Sequence, residues 1–360
     1  MTRFDHPKRR SNTSAVEVAV LIPLHGSAGI FGPSCELCAR LAAEEINAAG
    51  GMLDREVRLR IVDGAGPPER VADEIDALVS AGAVDMVVGW HISAVRRAVA
   101  PRIAMRVPYV YTALYEGGER TPGVFVVGET PDAQLLPAMS WLTRERGVKR
   151  WCIVGNDYVW PRQTATSAHV YANSIGSRIV DEVFVPLGTG RFSDAIGRVL
   201  NGRADGVLML LVGQDAAHFN RAFADAGLDE TSWRLSTCVD ENTLLASGAD
   251  GTRGLCATAA YFESLTTPES LAFGARYAAR FGLEAPPLNS LGESCYEGML
   301  LLTALVHKAR SIKAGDLRKA APSVEYEGPR GDLALRSCHL RQRIYLAEAD
   351  GLEFEVLAEL

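Results

Sequence analysis

Long hydrophobic runs are missing from this sequence. No stretch approaches the ~18 apolar residues of a membrane span, so no spanning helix is expected. A basic surplus is missing too: 37 Lys and Arg stand against 44 Asp and Glu, a net charge of −7. Direct nucleic-acid binding, which needs a basic stripe, is therefore set aside. No G-x-x-x-x-G-K-[ST], no strand-borne G-x-G-x-x-G and no G-x-S-x-G is present, and Gly26-Ser27-Ala28-Gly29 has no phosphate-loop lysine. Enzyme signatures are thus weak, and a binding protein is expected rather than an enzyme. Repeats and low-complexity tracts are absent. Cysteine is sparse: Cys35, Cys38, Cys152, Cys238, Cys256, Cys295 and Cys338 form an odd, scattered set. Such a set reads as reduced thiols rather than a disulfide framework. Cys35-x-x-Cys38 has no second pair to complete a zinc site, so neither metal nor cofactor is expected.

What is present is a repeating rhythm of strand, turn and helix over 360 residues. Val16–Leu24 reads as a strand, 33–49 as a helix stopped by Gly50-Gly51, and Val84–Gly89 as a buried strand. Ser93 is placed to cap a helix running on to Met105, with Pro101 shifting or kinking it. The pattern restarts near Gln134 and ends in a β-rich tail from Gly331 to Val356. Alternating elements of these lengths imply parallel sheets with helices on both faces, and two runs imply two lobes. The expected fold class is α/β, two doubly wound parallel-sheet lobes joined by three crossovers. The expected boundaries are 16–127 plus 258–328 for one lobe and 128–257 plus 329–360 for the other. Candidate crossings are Gly128–Pro131, Ala257–Ala260 and Gly328–Gly331. Residues 1–15 read as a disordered polar leader, and with no apolar stretch behind its basic residues a cytoplasmic protein is expected.

In open parallel sheets ligands gather at the carboxyl ends of the strands. The loops there hold Trp90, Tyr111, Tyr115, Tyr158 and Trp160, although only 7% of the chain is aromatic. These rings are either the walls of a small-solute pocket or ordinary core. Ser93 is either a plain helix cap or a hydroxyl facing a ligand carbonyl. His91 reads as a hydrogen-bonding or wall residue, not a metal ligand.

The same loops resemble a known family. Val88-Gly89-Trp90-His91-Ile92-Ser93-Ala94-Val95-Arg96-Arg97-Ala98-Val99, Tyr111-Thr112-Ala113-Leu114-Tyr115-Glu116-Gly117 and Gly155-Asn156-Asp157-Tyr158-Val159-Trp160-Pro161-Arg162 are similar to motifs of type I periplasmic-binding-protein-like receptors. The likeness is to the branch that binds urea and short-chain amides. Tyr261-Phe262, Thr267-Pro268 and Glu327-Gly328-Pro329-Arg330-Gly331 also fit. The resemblance implies that Ser93 meets the ligand carbonyl, that Tyr111 and Ala113 form a wall, and that Tyr158 and Trp160 close from the second lobe. His91 and Thr237 are weaker candidates. It further implies a cytoplasmic amide sensor that controls expression of amidase and nitrile hydratase genes through a protein partner, such as an antiterminator or transcription factor. Self-association is left open. The alternative is the solute receptor of an ABC transporter for urea, short amides or branched-chain amino acids. Ala113 stands where the amide sensor has Thr, which leaves room for a larger amide.

Overall fold

The strand Val16–Ile22 (β1) is apolar at nearly every position and buried along its length, as a central parallel strand must be when helices cover both faces. The computed structural model describes residues 15–360, so the expected leader lies outside the described residues except for Ala15. Parallel partners of β1 are Val57–Asp63 (β2) and Met86–Gly89 (β3). Beyond β3 come Tyr109–Tyr111 (β4) and Val124–Val126 (β5), both parallel. The helices Gly32–Ala48 (α1), Pro68–Ser80 (α2) and Ser93–Ile103 (α3) connect these strands.

The chain then builds a second sheet. Its helices are Pro131–Glu145 (α4), Val159–Ser174 (α5), Ser193–Gly202 (α6), Gln214–Asp225 (α7) and Glu241–Ser247 (α8). Its strands include Arg150–Asn156 (β6), Arg178–Val185 (β7), Gly206–Leu210 (β8), Trp233–Ser236 (β9) and Leu255–Ala259 (β10). Pro268–Phe281 (α9), Ser290–Ala309 (α10) and Ala314–Ala320 (α11) return to the first lobe. Glu325–Gly328 (β11), Gly331–Arg336 (β12) and His339–Arg341 (β13) extend the first sheet. Tyr345–Asp350 (β14) and Glu353–Glu359 (β15) close the second. The strand orders are β11-β12-β13-β5-β4-β3-β1-β2 and β15-β14-β10-β9-β8-β6-β7. Two α/β lobes result, each a parallel core edged by antiparallel strands rather than a purely parallel sheet.

One expected boundary moves. The turn 328–331 joins β11 to β12 inside the first sheet, and the chain passes to the second sheet only at 342–344. Gly331, at φ +86, serves a hairpin turn there. The other two passages lie at 127–130 and after β10. A buried polar knot ties all three. A carboxylate oxygen of Glu129 accepts from the Ala260 amide at 2.9 Å. Gln342 donates to the Val127 carbonyl at 2.9 Å. Arg330, 1% exposed along its side chain, donates to Gln342 at 2.6 Å, pairs with Glu293 and lies 3.7 Å from Glu129. Glu297 completes the cluster, and burial pushes its carboxyl well above the usual range.

Within the first lobe α10 lies across β3 and β4, the strands whose ends carry the aromatic loops. Small residues allow this. A Cβ at Gly298 would stand 2.6 Å from the Thr112 methyl and 2.9 Å from Val88. Among the described residues, no helix is long and apolar enough to cross a membrane.

Candidate functional site

Five loops at the carboxyl ends of β3, β4, β6, β8 and β9 converge between the lobes. They enclose a narrow cavity of about 10 Å³. The first lobe supplies Trp90, His91, Ile92, Ser93, Tyr111, Ala113 and Leu114; the second supplies Tyr158, Trp160, Val212 and Cys238. The structure thus brings together Ser93, Tyr111, Ala113, Tyr158, Trp160 and His91. Thr237 does not line the cavity. Its neighbour Cys238 does, and the Thr237 hydroxyl is buried with no partner.

The local chemistry follows from the chain. α3 starts at Ser93 with Ile92 as its cap, one residue earlier than a Ser93 cap would require, and the Ser93 hydroxyl makes no capping bond. It stands instead 3.5 Å from the Tyr111 hydroxyl, which donates to the His91 carbonyl at 2.8 Å. His91 is spoken for at both ring nitrogens. Nδ1 donates to the Ile92 carbonyl at 3.3 Å, and Nε2 accepts from the Tyr109 hydroxyl at 2.7 Å. Burial lowers its pKa to about 3, so the ring is neutral. His91 is therefore wall, with no nitrogen left to offer a ligand. Tyr158 and Trp160 stack obliquely at 6.2 Å on the opposite side.

Arg96 escaped the sequence reading, and Trp90 was read only as one of the aromatic rings of the pocket loops. The Arg96 guanidinium lies 5.1 Å from the Tyr111 ring centre and 4.6 Å from that of Tyr115, held by Glu116 at 2.8 Å and Glu119 at 3.0 Å. It braces the aromatic wall from behind. The Trp90 ring packs edge-on to Phe31, and its indole N–H is buried without a partner while the residue lines the cavity. An orphaned buried donor costs about 1–3 kcal/mol, a debt that a ligand acceptor would cancel. Trp90→Phe is therefore expected to weaken ligand binding ~3–10-fold while leaving stability nearly unchanged. Calorimetric titration beside thermal melting checks this, and undiminished affinity would remove Trp90 from the site.

Both lobes grip each other around this cavity. The Ser27 hydroxyl donates to Asp215 at 2.6 Å, and Asp215 is oriented by Asn156 at 2.6 Å and the Gly188 amide at 2.8 Å. Arg97 reaches Gln163 at 2.9 Å, and Asn242 reaches Ser34 at 3.2 Å. Gly213 faces the Ser27 carbonyl so closely that a Cβ would stand 2.0 Å from it. The arrangement holds the two lobes closed over the cavity.

Asp240, at the end of the Thr237–Asp240 loop, caps α8 by accepting from the Thr243 amide at 2.9 Å. Burial raises its carboxyl to about 6, against ~3.9 in an unfolded chain. The folded protein thus prefers the proton. This contribution is full below pH ~4 and is lost as pH rises to about 6, a loss of up to ~3 kcal/mol. Asp240→Asn keeps an accepting oxygen and removes the titration. Urea unfolding from pH 4 to 7 should show a flatter stability profile for the variant; parallel profiles would contradict the assignment.

A family model described as periplasmic binding protein matches residues 15–352. The Leu/Ile/Val-binding protein homolog 6 of Brucella melitensis is 26% identical over 343 residues, covering 92% of this chain and 87% of the relative. The Leu/Ile/Val-binding protein BraC3 of Rhizobium johnstonii is 25% identical, covering 90% of each. Among solved structures, an ABC transporter substrate-binding protein from Sphaerobacter thermophilus superimposes with a TM-score of 0.82 at 24% identity over 96% of this chain and 98% of that one. A branched-chain amino acid transporter substrate binding protein from Streptococcus pneumoniae, in complex with isoleucine, gives 0.84 at 16% identity over 96% and 100%. A solute binding protein from R. palustris, in complex with benzoate, gives 0.86 at 19% identity over 96% of each chain. These findings overturn two expectations. Proteins alike along nearly the whole length are named as binding proteins and transporter components, not as transcriptional regulators of amidase or nitrile hydratase genes. The expected cytoplasmic location falls with them, because the matching family is one of periplasmic proteins. With two α/β lobes meeting around a narrow cavity and a family match spanning residues 15–352, the chain belongs to the type I periplasmic binding protein family.

Proposed function

We propose that this protein is the periplasmic solute receptor of an ABC-type importer, and that its solute is a small uncharged amide or urea-like molecule. The observation that carries the ligand class is the wall itself: no charged side chain lines the cavity. A zwitterionic amino acid buried there would leave its ammonium without a carboxylate, at a cost of several kcal/mol. A benzoate would likewise find no cation, since His91 is neutral. An amide asks only for neutral partners. Ser93 and Trp90 offer O–H and N–H to its carbonyl, Tyr111 and Ala113 form the wall, and Tyr158 and Trp160 cover it.

The lobes proposed to move are 16–127 with 258–341 and 128–257 with 342–360. The solute favours the closed form by its differential affinity for it.

A thermal-shift panel of urea, acetamide, butyramide, leucine and benzoate tests the reading. A ligand at 100 times its Kd stabilises by ~2.7 kcal/mol and raises the midpoint accordingly. Amides or urea are expected to raise it. A rise with leucine or benzoate alone would replace the amide by that solute.

A further inference from the structure

Three cysteines meet in the first lobe where α1 packs on α10. Cys35 and Cys38 sit one turn apart on α1, and Cys295 faces them from α10; all three are buried. The two backbones run unusually close here, because a Cβ at Gly292 would lie 3.0 Å from the Cβ of Ser34. The Cys35 thiol points at α10, donating to the Leu291 carbonyl at 3.5 Å, one turn before Cys295. It also makes side-chain contact with the Cys295 thiol. Cys295 in turn lies 3.6 Å from the Thr112 hydroxyl, beside the loop that forms the cavity wall.

We infer that Cys35 and Cys295 form an inter-helix disulfide when the protein folds under oxidising conditions. Disulfide formation requires Cα atoms ~4.4–6.8 Å apart and side chains aimed at one another. The close helix approach and the facing thiols point to that geometry. Cys38, one turn further along α1, also lies near Cys295, but the side-chain contact with the Cys295 thiol belongs to Cys35. The reaction is thiol–disulfide exchange with a small disulfide such as oxidised glutathione. One cysteine thiolate attacks the oxidant, forming a mixed disulfide and releasing one thiol. The second cysteine loses its proton, attacks the protein-side sulfur and releases the second thiol. Two electrons pass from the cysteine pair to the oxidant, whose two sulfurs leave as thiols. Burial pushes the Cys35 thiol up and closes access in the folded state, so the exchange belongs to folding, before α1 and α10 seal.

The test refolds the denatured, reduced protein in a glutathione redox buffer, quenches with acid, alkylates free thiols and maps peptides without reduction. Five of the seven cysteines should be alkylated, and one cross-linked species should join the peptides holding Cys35 and Cys295. Its unfolding midpoint should fall by several degrees on reduction. Cys38→Ser should leave the cross-link in place, whereas Cys35→Ser should abolish it and leave the melting insensitive to reductant. Seven alkylated cysteines, or a cross-link through Cys38, would overturn the inference.

Discussion

Arg330→Met is expected to cost about 3–5 kcal/mol of stability, because it strands Glu293 and Glu129 in the interior. Arg330 is the cation nearest all three buried carboxylates of the polar knot, and burial pushes the Glu297 carboxyl well above the usual range. With the guanidinium gone, Glu293 must take up a proton or drag water into the cluster. Adding Glu293→Gln to Arg330→Met should restore part of the loss, since the second change removes the stranded charge. Urea unfolding of the two variants reads the effect. A single variant within ~1 kcal/mol of the parent would mean that the cluster relaxes into solvent. The knot joins Glu129, Ala260 and Gln342 from three separate passages of the chain, so the loss is also expected to loosen the relation between the lobes.

Trp160→Ala carries the second large effect. Trp160 is 3% exposed and reaches the cavity from the second lobe, against a first-lobe wall held by Arg96. Its removal takes away contact with the solute and part of what the lobes gain on closing. A buried aromatic anchor of this kind is worth ~2 kcal/mol or more, roughly 30-fold in affinity. Small-angle scattering separates the two contributions: the parent should become more compact on adding saturating amide, and Trp160→Ala less so at equal saturation. Equal compaction by both proteins would confine Trp160 to contact alone.

Much of this was legible in the sequence, and for identifiable reasons. The alternation of apolar strands with helices set two lobes, because a parallel strand must be covered on both faces and reads as a continuous apolar run. The rule that ligands sit at strand carboxyl ends led to Trp90, His91, Ser93, Tyr111, Tyr158 and Trp160, and the family resemblance added Ala113; all of these line one cavity. Thr237 fell one residue short, since neighbouring residues in an extended loop point opposite ways. Trp90 was placed in those loops but left open between wall and core; only the unpartnered indole N–H distinguishes it. The last passage was misplaced because Gly328-Pro329-Arg330-Gly331 carries a strong turn signal, and a turn within a hairpin looks the same as a turn between lobes. The polar knot was illegible: Glu129, Glu293 and Arg330 lie far apart in the chain and share no spacing. The regulatory and cytoplasmic readings failed for another reason. They leaned on likeness to one branch and on the polar start of the chain, neither of which bears on what the cavity and the fold do.

The interleaving of the two sheets governs how the molecule can be made. The first sheet takes β1 to β5 from the beginning of the chain and its far edge, β11 to β13, from beyond residue 324. The second takes β14 and β15 from the final stretch. Neither half can therefore finish folding until the chain through β13, for the first, or β15, for the second, is available. Until then β5 and β10 wait as unpaired apolar edges, the kind of surface that invites wrong partners in a nascent chain. The protein's most vulnerable period comes before its last strands arrive, and a truncation of only a few dozen residues at the carboxyl end leaves both halves open at once.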